Sequence, residues 1–255
     1  MEKLISFDLE GDFGFFRKPQ TNEGVQLSYN LIHRPSLLGI LGAILGLEGY
    51  KKHGEWPEYY QKLKHLPIGL EPIKHHERGN FDKTLITYTN TVGYANADGN
   101  LIVHESTLLQ PAFRIYLLLN TENAVEKELL TRIQTGKATY LPYFGKNECP
   151  IWWDVETVKA YEFEPFTPKE AFAIQSIFVK NNKAAARKAS KTMLPMLSTN
   201  SFAYFEEIPI GFNEALFQYQ LADIAYTNWK LTAEQDIQHL YQLKDKGGSF
   251  IVQLF

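Results

Sequence analysis

Lys3-Leu-Ile-Ser-Phe-Asp-Leu9 opens the chain with a run in which apolar side chains recur at every second position. In an extended strand, alternate side chains point to opposite faces of the sheet. One face of this strand would be wholly apolar and would carry Ile5, Phe7 and Leu9. Because Gly11 and Gly14 follow, the strand should end in a turn or a bulge. The run therefore predicts a β-strand at the N-terminus.

Further elements follow this strand in a regular order. Arg34-Pro35-Ser36 precedes an apolar run to Gly46, and proline is well tolerated in the first turn of a helix. Asp98-Gly99 between two extended runs is a strong hairpin signal. The predicted elements are a helix from Arg34 to about Gly46, paired strands at Thr84–Ala95 and Leu101–Glu105, a strand at Phe113–Leu119, a helix from Asn120 or Thr121 to about Thr135, and a strand at Val155–Phe163. Residues 49–83 show no clear period and predict an irregular, exposed segment.

The order of these elements is that of a split β-α-β fold. It predicts an α+β, ferredoxin-like (RRM-like) domain over residues 1–163, with helices on one face of the sheet and the other face open. RNA-recognition modules bind RNA on that open face. Residues 164–255 would form a smaller, β-containing C-terminal region that packs on this domain. Its predicted elements are a strand at Phe202–Ile208, a helix near Thr232–Leu243 and a strand at Ser249–Phe255.

Length and composition narrow the possible classes of protein. The 255 residues suffice for one large domain or two small ones, and 44% hydrophobic residues argue against a disordered chain. The single cysteine, Cys149, excludes a disulfide scaffold and fits a reducing compartment. The N-terminus lacks a basic stretch followed by an apolar one, and the longest apolar run, residues 37–47, is too short to span a bilayer. We therefore expect a cytoplasmic protein with no membrane partner.

The net charge of −3 hides two basic segments. Residues 171–205 contain five lysines or arginines and no acidic residue. Four of these cations recur at helical spacing, namely Lys180, Lys183, Arg187 and Lys191. Residues 51–83 form the second basic segment and hold four of the seven histidines. A polyanion needs a concentrated patch of cations rather than a high total, so an RNA-binding role stays open beside the alternative of two solvated faces.

Aromatic rings and cations alternate at several places along the chain. The groups are Phe15, Phe16 and Arg17; Tyr88, Tyr94 and Arg114; and Tyr140, Tyr143 and Lys146. Single-stranded RNA is bound by such groups, because its bases stack on rings and its phosphates contact lysine or arginine. They favour an RNA interface, although many rings in a chain with 14% aromatic residues must belong to the core.

A catalytic hypothesis stays open at Lys74-His75-His76. A histidine that deprotonates a ribose 2′-hydroxyl, with a lysine stabilising the developing charge, could cleave RNA without a metal. The sequence contains no G-x-x-x-x-G-K-[ST], H-E-x-x-H or G-x-S-x-G motif that would indicate other chemistry. Phosphate contact by the same three residues is the alternative to catalysis.

A second, remote catalytic hypothesis concerns Asp8, Glu10 and Asp12. On an uninterrupted strand these carboxylates would share one face and could hold Mg²⁺, as in a nucleotidyl-transferase palm. Gly11 interrupts that geometry at the end of the strand. A solvated strand end is the alternative, and we predict no resident metal.

Five stretches share their pattern with one known family. Phe7-Asp-Leu-Glu-Gly-Asp-Phe-Gly-Phe-Phe-Arg-Lys-Pro19 resembles its glycine- and aromatic-rich first strand, and Arg34-Pro-Ser-Leu-Leu-Gly-Ile-Leu-Gly-Ala-Ile-Leu-Gly46 resembles its proline-capped first helix. Gln110-Pro-Ala-Phe-Arg-Ile-Tyr116, Tyr143-Phe-Gly-Lys-Asn-Glu-Cys-Pro150 and Gly247-Gly-Ser-Phe-Ile-Val-Gln-Leu-Phe255 resemble its third strand, its glycine loop and the terminal strand of one subtype. The chain is thus similar to the Cas five family, subtype I-B, of the CRISPR-associated RAMP superfamily.

This resemblance implies an RRM-like RAMP fold with a β-hairpin thumb inserted at about residues 71–110. It implies a non-catalytic subunit without a cofactor, which holds the 5′ handle of the CRISPR RNA and caps the backbone filament of the Cascade complex in antiviral defence. Its partners would be the CRISPR RNA, the Cascade backbone subunit, the large subunit and target DNA near the handle.

The resemblance also points to RNA contacts in the first strand, the first helix, the third strand and the glycine loop. These positions are Arg17, Lys18, Arg34, Arg114, Gly145 and Lys146. The thumb would add Lys74, His75, His76, Arg78 and Lys83, which follow from the place of the insertion rather than from a motif. A relative in another subtype cleaves RNA with Tyr, Lys and His, a set that Lys74-His75 matches only loosely.

Overall fold

The computed structural model describes residues 1–21, 24–74, 78–90, 101–180, 193–194 and 200–255. The helices are α1 (Arg34–Leu45), α2 (Glu58–Leu63) and α3 (Ala124–Thr135). The strands are β1 (Glu2–Gly11), β2 (Phe13–Gly14), β3 (Phe16–Arg17), β4 (Val25–Tyr29), β5 (Ile68–Pro72), β6 (Lys83–Asn90), β7 (Leu101–Leu109), β8 (Ala112–Asn120), β9 (Ile151–Trp153), β10 (Lys159–Pro165), β11 (Phe178–Val179), β12 (Met193–Leu194), β13 (Ala203–Asn213), β14 (Gln218–Thr227), β15 (Lys230–Leu231), β16 (Leu240–Asp245) and β17 (Gly248–Gln253). The α+β class that the sequence predicts is confirmed.

A central antiparallel sheet organises these elements in the order β17–β16–β10–β1–β8–β5. β1 lies in its middle and pairs with β8 along residues 2–10. The other edge of β1 is shared, since residues 4–6 pair with β10 and residues 9–11 pair with β9. The predicted N-terminal strand is therefore confirmed.

α1 and α3 share one buried apolar cluster with the face of β1 that carries Ile5, Phe7 and Leu9. Pro35 lies in the first turn of α1, and Gly46 ends the helix in the left-handed conformation, with φ 77°. α3 begins later than predicted, because the side chain of Asn123 rather than that of Asn120 or Thr121 caps it. No helix in the described part of the chain is both long and apolar enough to span a bilayer.

The opposite face of the sheet is covered, so the prediction of an open face is wrong. A second apolar cluster joins that face of β1 and β8 to the C-terminal strands, and it consists of Leu4, Tyr116, Leu118, Leu243, Val252 and Leu254. The N–H of Phe255 donates to the carbonyl oxygen of Ile68 at 3.0 Å, so the chain end reaches the far edge of the sheet. The face is closed because β16 and β17 continue the same sheet and curl back towards β5.

The prediction of an irregular, exposed segment is confirmed for residues 49–55 and is wrong for residues 58–72. They contain α2 and the fully buried β5, which forms one edge of the central sheet. β5 is hard to recognise because its five residues include Gly69 and Pro72, which disfavour strands. Packing requires the glycine, since a Cβ at Gly69 would lie 2.9 Å from the carbonyl oxygen of Gln253.

The prediction of a helix near Thr232–Leu243 is also wrong. β16 occupies residues 240–245, and His239 before it has a φ of 57°, which breaks a right-handed helix. The apolar residues Ile237 and Leu240 pack in a small cluster around Phe172 instead of lining a helix face. The helix-like spacing of these apolar residues is a consequence of how they pack on the sheet, and it cannot be distinguished from a helical pattern in the local sequence.

β6 and β7 pair in antiparallel register from Lys83 opposite Leu108 to Asn90 opposite Leu101, which confirms the predicted strand pair. β7 also pairs with β2 and β4, so this hairpin is anchored on the strands that follow β1. The predicted turn at Asp98-Gly99 and the helically spaced cations beyond Lys180 lie outside the described residues. The division of the chain at residue 163 stays a prediction.

The N-cap of α1 is a buried histidine. His33 Nδ1 accepts a hydrogen bond from the N–H of Ser36 at 3.3 Å. Burial lowers the pKa of His33 to about 3, whereas its ordinary value is 6.5. The folded protein thus keeps this imidazole neutral at pH values where the unfolded chain takes up a proton. The stability that depends on His33 is present above pH 6.5 and is lost as the pH falls towards 3.

We expect His33→Asn to flatten the acid side of the stability profile. Asparagine keeps a side-chain acceptor at the N-cap but does not titrate. Below pH 6.5, the slope of the unfolding free energy against pH should fall by up to about 1.4 kcal/mol per pH unit relative to wild type. Urea titrations at a series of pH values measure this slope. Equal slopes for the two proteins would contradict a neutral, buried cap.

Candidate nucleic-acid interface

The predicted glycine loop is held against the turn that follows β1. The N–H of Phe15 donates to the carbonyl oxygen of Phe144 at 3.0 Å, and the N–H of Phe144 donates to that of Cys149 at 2.8 Å. Gly145 has a φ of 82°, and a Cβ there would overlap the carbonyl oxygen of Phe15. Glycine is therefore required at this position both by the backbone conformation and by the close approach.

Lys146 lies at the base of the β6–β7 hairpin between two rings. Its ammonium is 5.0 Å from the ring centroid of Tyr88 and 5.5 Å from that of Phe15. Nζ donates to Oε2 of the buried Glu105 at 2.6 Å, and the hydroxyl of Tyr88 donates to Oε1 of the same carboxylate at 3.0 Å. The fold therefore brings a cation and two rings from three separate segments to one point. We name Phe15, Tyr88, Glu105 and Lys146 the glycine-loop cluster.

The charge of Lys146 is stabilised by its partner. Burial by itself would lower the pKa of this lysine, but the hydrogen bond and the charge of Glu105 outweigh that effect and raise it. The ammonium is therefore a permanent cation at neutral pH. A phosphate that approaches the cluster would meet a charge whose position is already fixed by a carboxylate and two rings.

A second group of cations lies beside the first, around the buried carboxylate of Glu206. Lys18 Nζ is 2.7 Å from Glu206 Oε1 and lies over the ring of Tyr29 at 5.0 Å. Partial burial lowers the pKa of Lys83, and the nearby charge of Glu206 opposes this shift. Arg17 lies on β3 and is exposed. The structure thus places Arg17 on β3, Lys18 directly after that strand and Lys83 at the start of β6.

A third group lies on the covered face of the central sheet. Arg114 donates two hydrogen bonds of 2.8 Å to the carboxylate of Asp8, directly opposite it in the β1–β8 register. These bonds raise the pKa of Arg114, although burial opposes the shift. Lys74 has a φ of 64° and pairs with Glu10. A cavity of about 1010 Å³ lies here, and its lining includes Asp8, Glu71, Lys74, Arg78 and Arg114.

A buried carboxylate network in this cavity gave no signal in the sequence. Oε2 of Glu71 accepts from the hydroxyl of Tyr116 at 2.6 Å, and Oε1 accepts from Nε2 of Gln175 at 3.1 Å. Burial raises the pKa of Glu71 and, with the neighbouring carboxylate, that of Tyr116. Since the three residues come from separate strands and a loop, only their tertiary arrangement makes the network visible.

The carboxylates of the magnesium hypothesis are not arranged as a shared set of ligands. Asp8 pairs with Arg114, and Glu10 pairs with Lys74. Within the described ranges, no group of three or more His, Cys, Asp or Glu side chains is placed to hold a metal ion. The other catalytic hypothesis depends on His75 and His76, which lie outside the described residues.

Arg34 has a well-defined place inside the protein. Its guanidinium donates to the carbonyl oxygens of Lys64 at 2.6 Å, Leu66 at 3.0 Å and Ile210 at 3.4 Å. Burial lowers the pKa of Arg34. The side chain therefore ties the start of α1 to the segment after α2 and to β13, and its contact with RNA stays a prediction.

The structure brings Phe15, Tyr88 and Lys146 together, but the two carboxylates that anchor the cations were missed. Glu105 lies two residues after the buried Val103 in β7, and this period of two is the signal that could have placed it on the same inward face. Glu206 accepts from the N–H of Asn30 at 3.1 Å, across a long sequence separation. No local pattern indicates such a contact.

We expect Gly145→Ala to destabilise the glycine loop more than Gly54→Ala destabilises its own turn. Both glycines have a positive φ, of 82° and 83°, but a Cβ at Gly54 would have no neighbour within 4 Å, whereas one at Gly145 would meet the backbone of Phe15. The left-handed penalty is thus common to both variants, and the difference reports the close approach. Urea unfolding should show a loss at least about 2 kcal/mol larger for Gly145→Ala. Equal losses would show that the loop can move away from Phe15.

Comparisons with known proteins bear on the fold. No family model matches the sequence, and no curated protein matches it. A chain of the type III-B Cmr-beta complex, solved with cognate target RNA and AMPPnP, superposes with a TM-score of 0.52 at 12% identity, over 91% of this chain and 86% of that one. A CRISPR protein from Archaeoglobus fulgidus gives 0.46 at 13% identity, over 99% of both chains, and a chain of a CRISPR RNA-guided surveillance complex gives 0.46 at 12%, over 90% and 92%. The first similarity shows that this chain shares its fold with a protein of a CRISPR complex.

Proposed function

We propose that the protein is a non-catalytic RNA-binding subunit of a CRISPR effector complex. In this proposal it is a Cas five protein of subtype I-B that holds the 5′ handle of the CRISPR RNA. The observation that carries the proposal is the glycine-loop cluster, in which Glu105 holds Lys146 beside the rings of Phe15 and Tyr88. A fixed cation next to a partly exposed ring suits a phosphate and an unpaired base of single-stranded RNA.

The order of the strands supports this proposal. β1, β5, β8 and β10 are connected through α1 and α3 and stand side by side as β10–β1–β8–β5. If these four strands are numbered 1 to 4 along the chain, their order across the sheet is 4–1–3–2. This is the strand order of a ferredoxin-like, RAMP-type core. Along the chain, the β6–β7 hairpin is inserted between β5 and β8, which is the place of the thumb that the resemblance implies. The shared fold with a chain of an RNA-bound CRISPR complex agrees with this assignment.

The electrostatics of the interface explain how a chain of net charge −3 could bind RNA selectively. Lys146 and Lys18 are each paired with a buried carboxylate at 2.6 and 2.7 Å. A phosphate must share or displace that partner, so binding by counterion release alone is weakened. Affinity would then depend more on stacking and on the shape of the handle than on total charge.

Exposed apolar side chains on the β13–β14 hairpin support protein partners. Leu216 and Phe217 at its tip are 62% and 47% exposed. Exposed apolar residues grouped on one hairpin are typical of interaction surfaces. We propose that the backbone subunit and the large subunit of the complex contact this region while the RNA occupies the base of the β6–β7 hairpin.

We expect Lys146→Gln to weaken binding of a repeat-derived 5′ handle about tenfold, since one fixed cation–phosphate contact is lost. Fluorescence anisotropy of the labelled handle measures this effect. The matched control is Lys244→Gln, because Lys244 also pairs with a carboxylate, that of Glu164 at 3.3 Å, but lies on β16 away from the cluster. Wild-type protein should bind a scrambled RNA of equal length more weakly at the same salt concentration.

Equal affinity for handle and scrambled RNA, or equal loss in the two lysine variants, would contradict handle binding at this cluster. The same mixtures, incubated in EDTA with excess protein, should leave repeat RNA intact. Cleavage that is lost in His75→Ala or His76→Ala would instead establish the metal-independent endoribonuclease.

A further inference from the structure

β6 is an edge strand of the sheet that it shares with β7. In the described part of the chain it pairs with β7 alone, from Lys83 opposite Leu108 to Asn90 opposite Leu101. β7, in contrast, is paired on both of its edges, because β2 and β4 lie on its other side. One edge of β6 can therefore receive a further strand.

The register identifies the backbone groups along this edge. The N–H of Leu109 donates to the carbonyl oxygen of Asp82 at 2.8 Å, so these two residues form a hydrogen-bonded pair. Hydrogen-bonded and non-hydrogen-bonded pairs alternate along an antiparallel ladder. Even-numbered residues of β6 therefore bond to β7, whereas odd-numbered residues direct their N–H and carbonyl groups away from it. The second set consists of Lys83, Leu85, Thr87 and Thr89, and no other backbone group that the structure describes bonds to it.

β6 lacks the features by which proteins protect an edge strand. Protected edges carry prolines, bulges or charged side chains. Residues 84–89 contain no proline, glycine or charged residue, and their pairing with β7 has no shift of register. Leu85 and Ile86, on opposite faces of the strand, are 57% and 36% exposed. An extended strand suits this edge, because its own N–H and carbonyl groups complete the ladder.

The strand is complementary to a second copy of itself. Around a twofold axis beside Ile86, the residues from Lys83 to Thr89 pair with the same residues of the second copy in antiparallel order. Ile86 then lies opposite itself, and Leu85 lies opposite Thr87. Apolar and β-branched side chains opposite each other stabilise a strand pair, whereas like charges destabilise it. The two copies of Lys83 would lie at opposite ends of the pair, about 20 Å apart, so they would not repel each other strongly.

We propose that the protein forms a dimer in which β6 of one copy pairs with β6 of a second copy. The strands β4, β7 and β6 of the two copies then form one continuous six-stranded sheet. This pairing covers an edge that would otherwise promote aggregation. The inference rests on the backbone and the register of β6, and it does not depend on the RNA-binding proposal.

Sedimentation velocity of the full chain, without RNA, tests the proposal. Wild type should pass from monomer to dimer with a Kd below about 100 µM. Thr87→Pro removes an outward N–H but no bond to β7, and Leu85→Lys places a charge beside the second copy. Each should raise the Kd at least about tenfold. The matched control is Ile102→Lys, because Ile102 is 56% exposed but lies on β7, and it should leave the Kd within about twofold.

A cysteine crosslink tests the register of the pair. In the proposed dimer the two copies of residue 86 form a non-hydrogen-bonded pair, whose Cα atoms lie about 4.5 Å apart and within the range of a disulfide. Oxidation of Ile86→Cys with copper phenanthroline should therefore give a covalent dimer. Thr89→Cys should not, since the two copies of that residue would lie about 20 Å apart. The native Cys149 is buried and should not crosslink in either variant.

Thermal unfolding of each variant shows whether it is folded, and Leu85→Lys keeps the test valid if Thr87→Pro is not. A monomer at every concentration up to about 200 µM, or a Kd that the two edge variants do not change, would overturn the proposal. Equal crosslinking of Ile86→Cys and Thr89→Cys would also overturn it, because the copies would then meet without a fixed register. None of these mixtures contains RNA, so their outcome is independent of handle binding.

Discussion

The pairing of β1 with β8 is the constraint on which the rest of the fold depends. It places Asp8 opposite Arg114, where two hydrogen bonds of 2.8 Å join the side chains. A slip of one residue would separate this pair and turn the apolar face of β1 away from the helices. Because desolvation offsets much of the Coulomb energy of such an ion pair, we expect its main effect to be the choice of register.

The same pairing determines which surfaces are free for function. With α1 and α3 on one face and β16 and β17 curled over the other, the central sheet offers no open platform for bases in the described part of the chain. The cations that could bind RNA, and the exposed ring of Tyr88, lie instead where the glycine loop, the turn after β1 and the β6–β7 hairpin meet, while the ring of Phe15 is buried there. On the covered face, charged side chains at the cavity already form ion pairs, Arg114 with Asp8 and Lys74 with Glu10.

Local sequence was sufficient for the elements whose ends have strong signals. Pro35 and Gly46 delimit α1, and Gly136 ends α3. It was insufficient for β5, in which Gly69 and Pro72 mask a buried strand, and for residues 232–243, where sheet packing produces a helix-like spacing. Propensity describes the backbone of a short segment, and these two segments are determined by distant partners.

For the interface, the cations could be found from the sequence and their arrangement could not. Lys146 and Phe15 belong to motifs that are visible in the chain, and Tyr88 lies in a predicted strand. Glu105 and Glu206 fix the positions of Lys146 and Lys18 through contacts between segments far apart in sequence. Such long-range ion pairs leave no pattern in the local sequence, although they determine the positions of the two lysine ammonium groups.

Photo-crosslinking is the most direct measurement of where the RNA lies. A 5′ handle with 4-thiouridine at successive positions would be irradiated with the protein, and the crosslinked peptides would be identified by mass spectrometry. The account predicts crosslinks to the peptides that contain Phe15, Tyr88 and residues 143–150. Crosslinks confined to the β13–β14 hairpin or to β16 and β17, with none at the glycine-loop cluster, would contradict it.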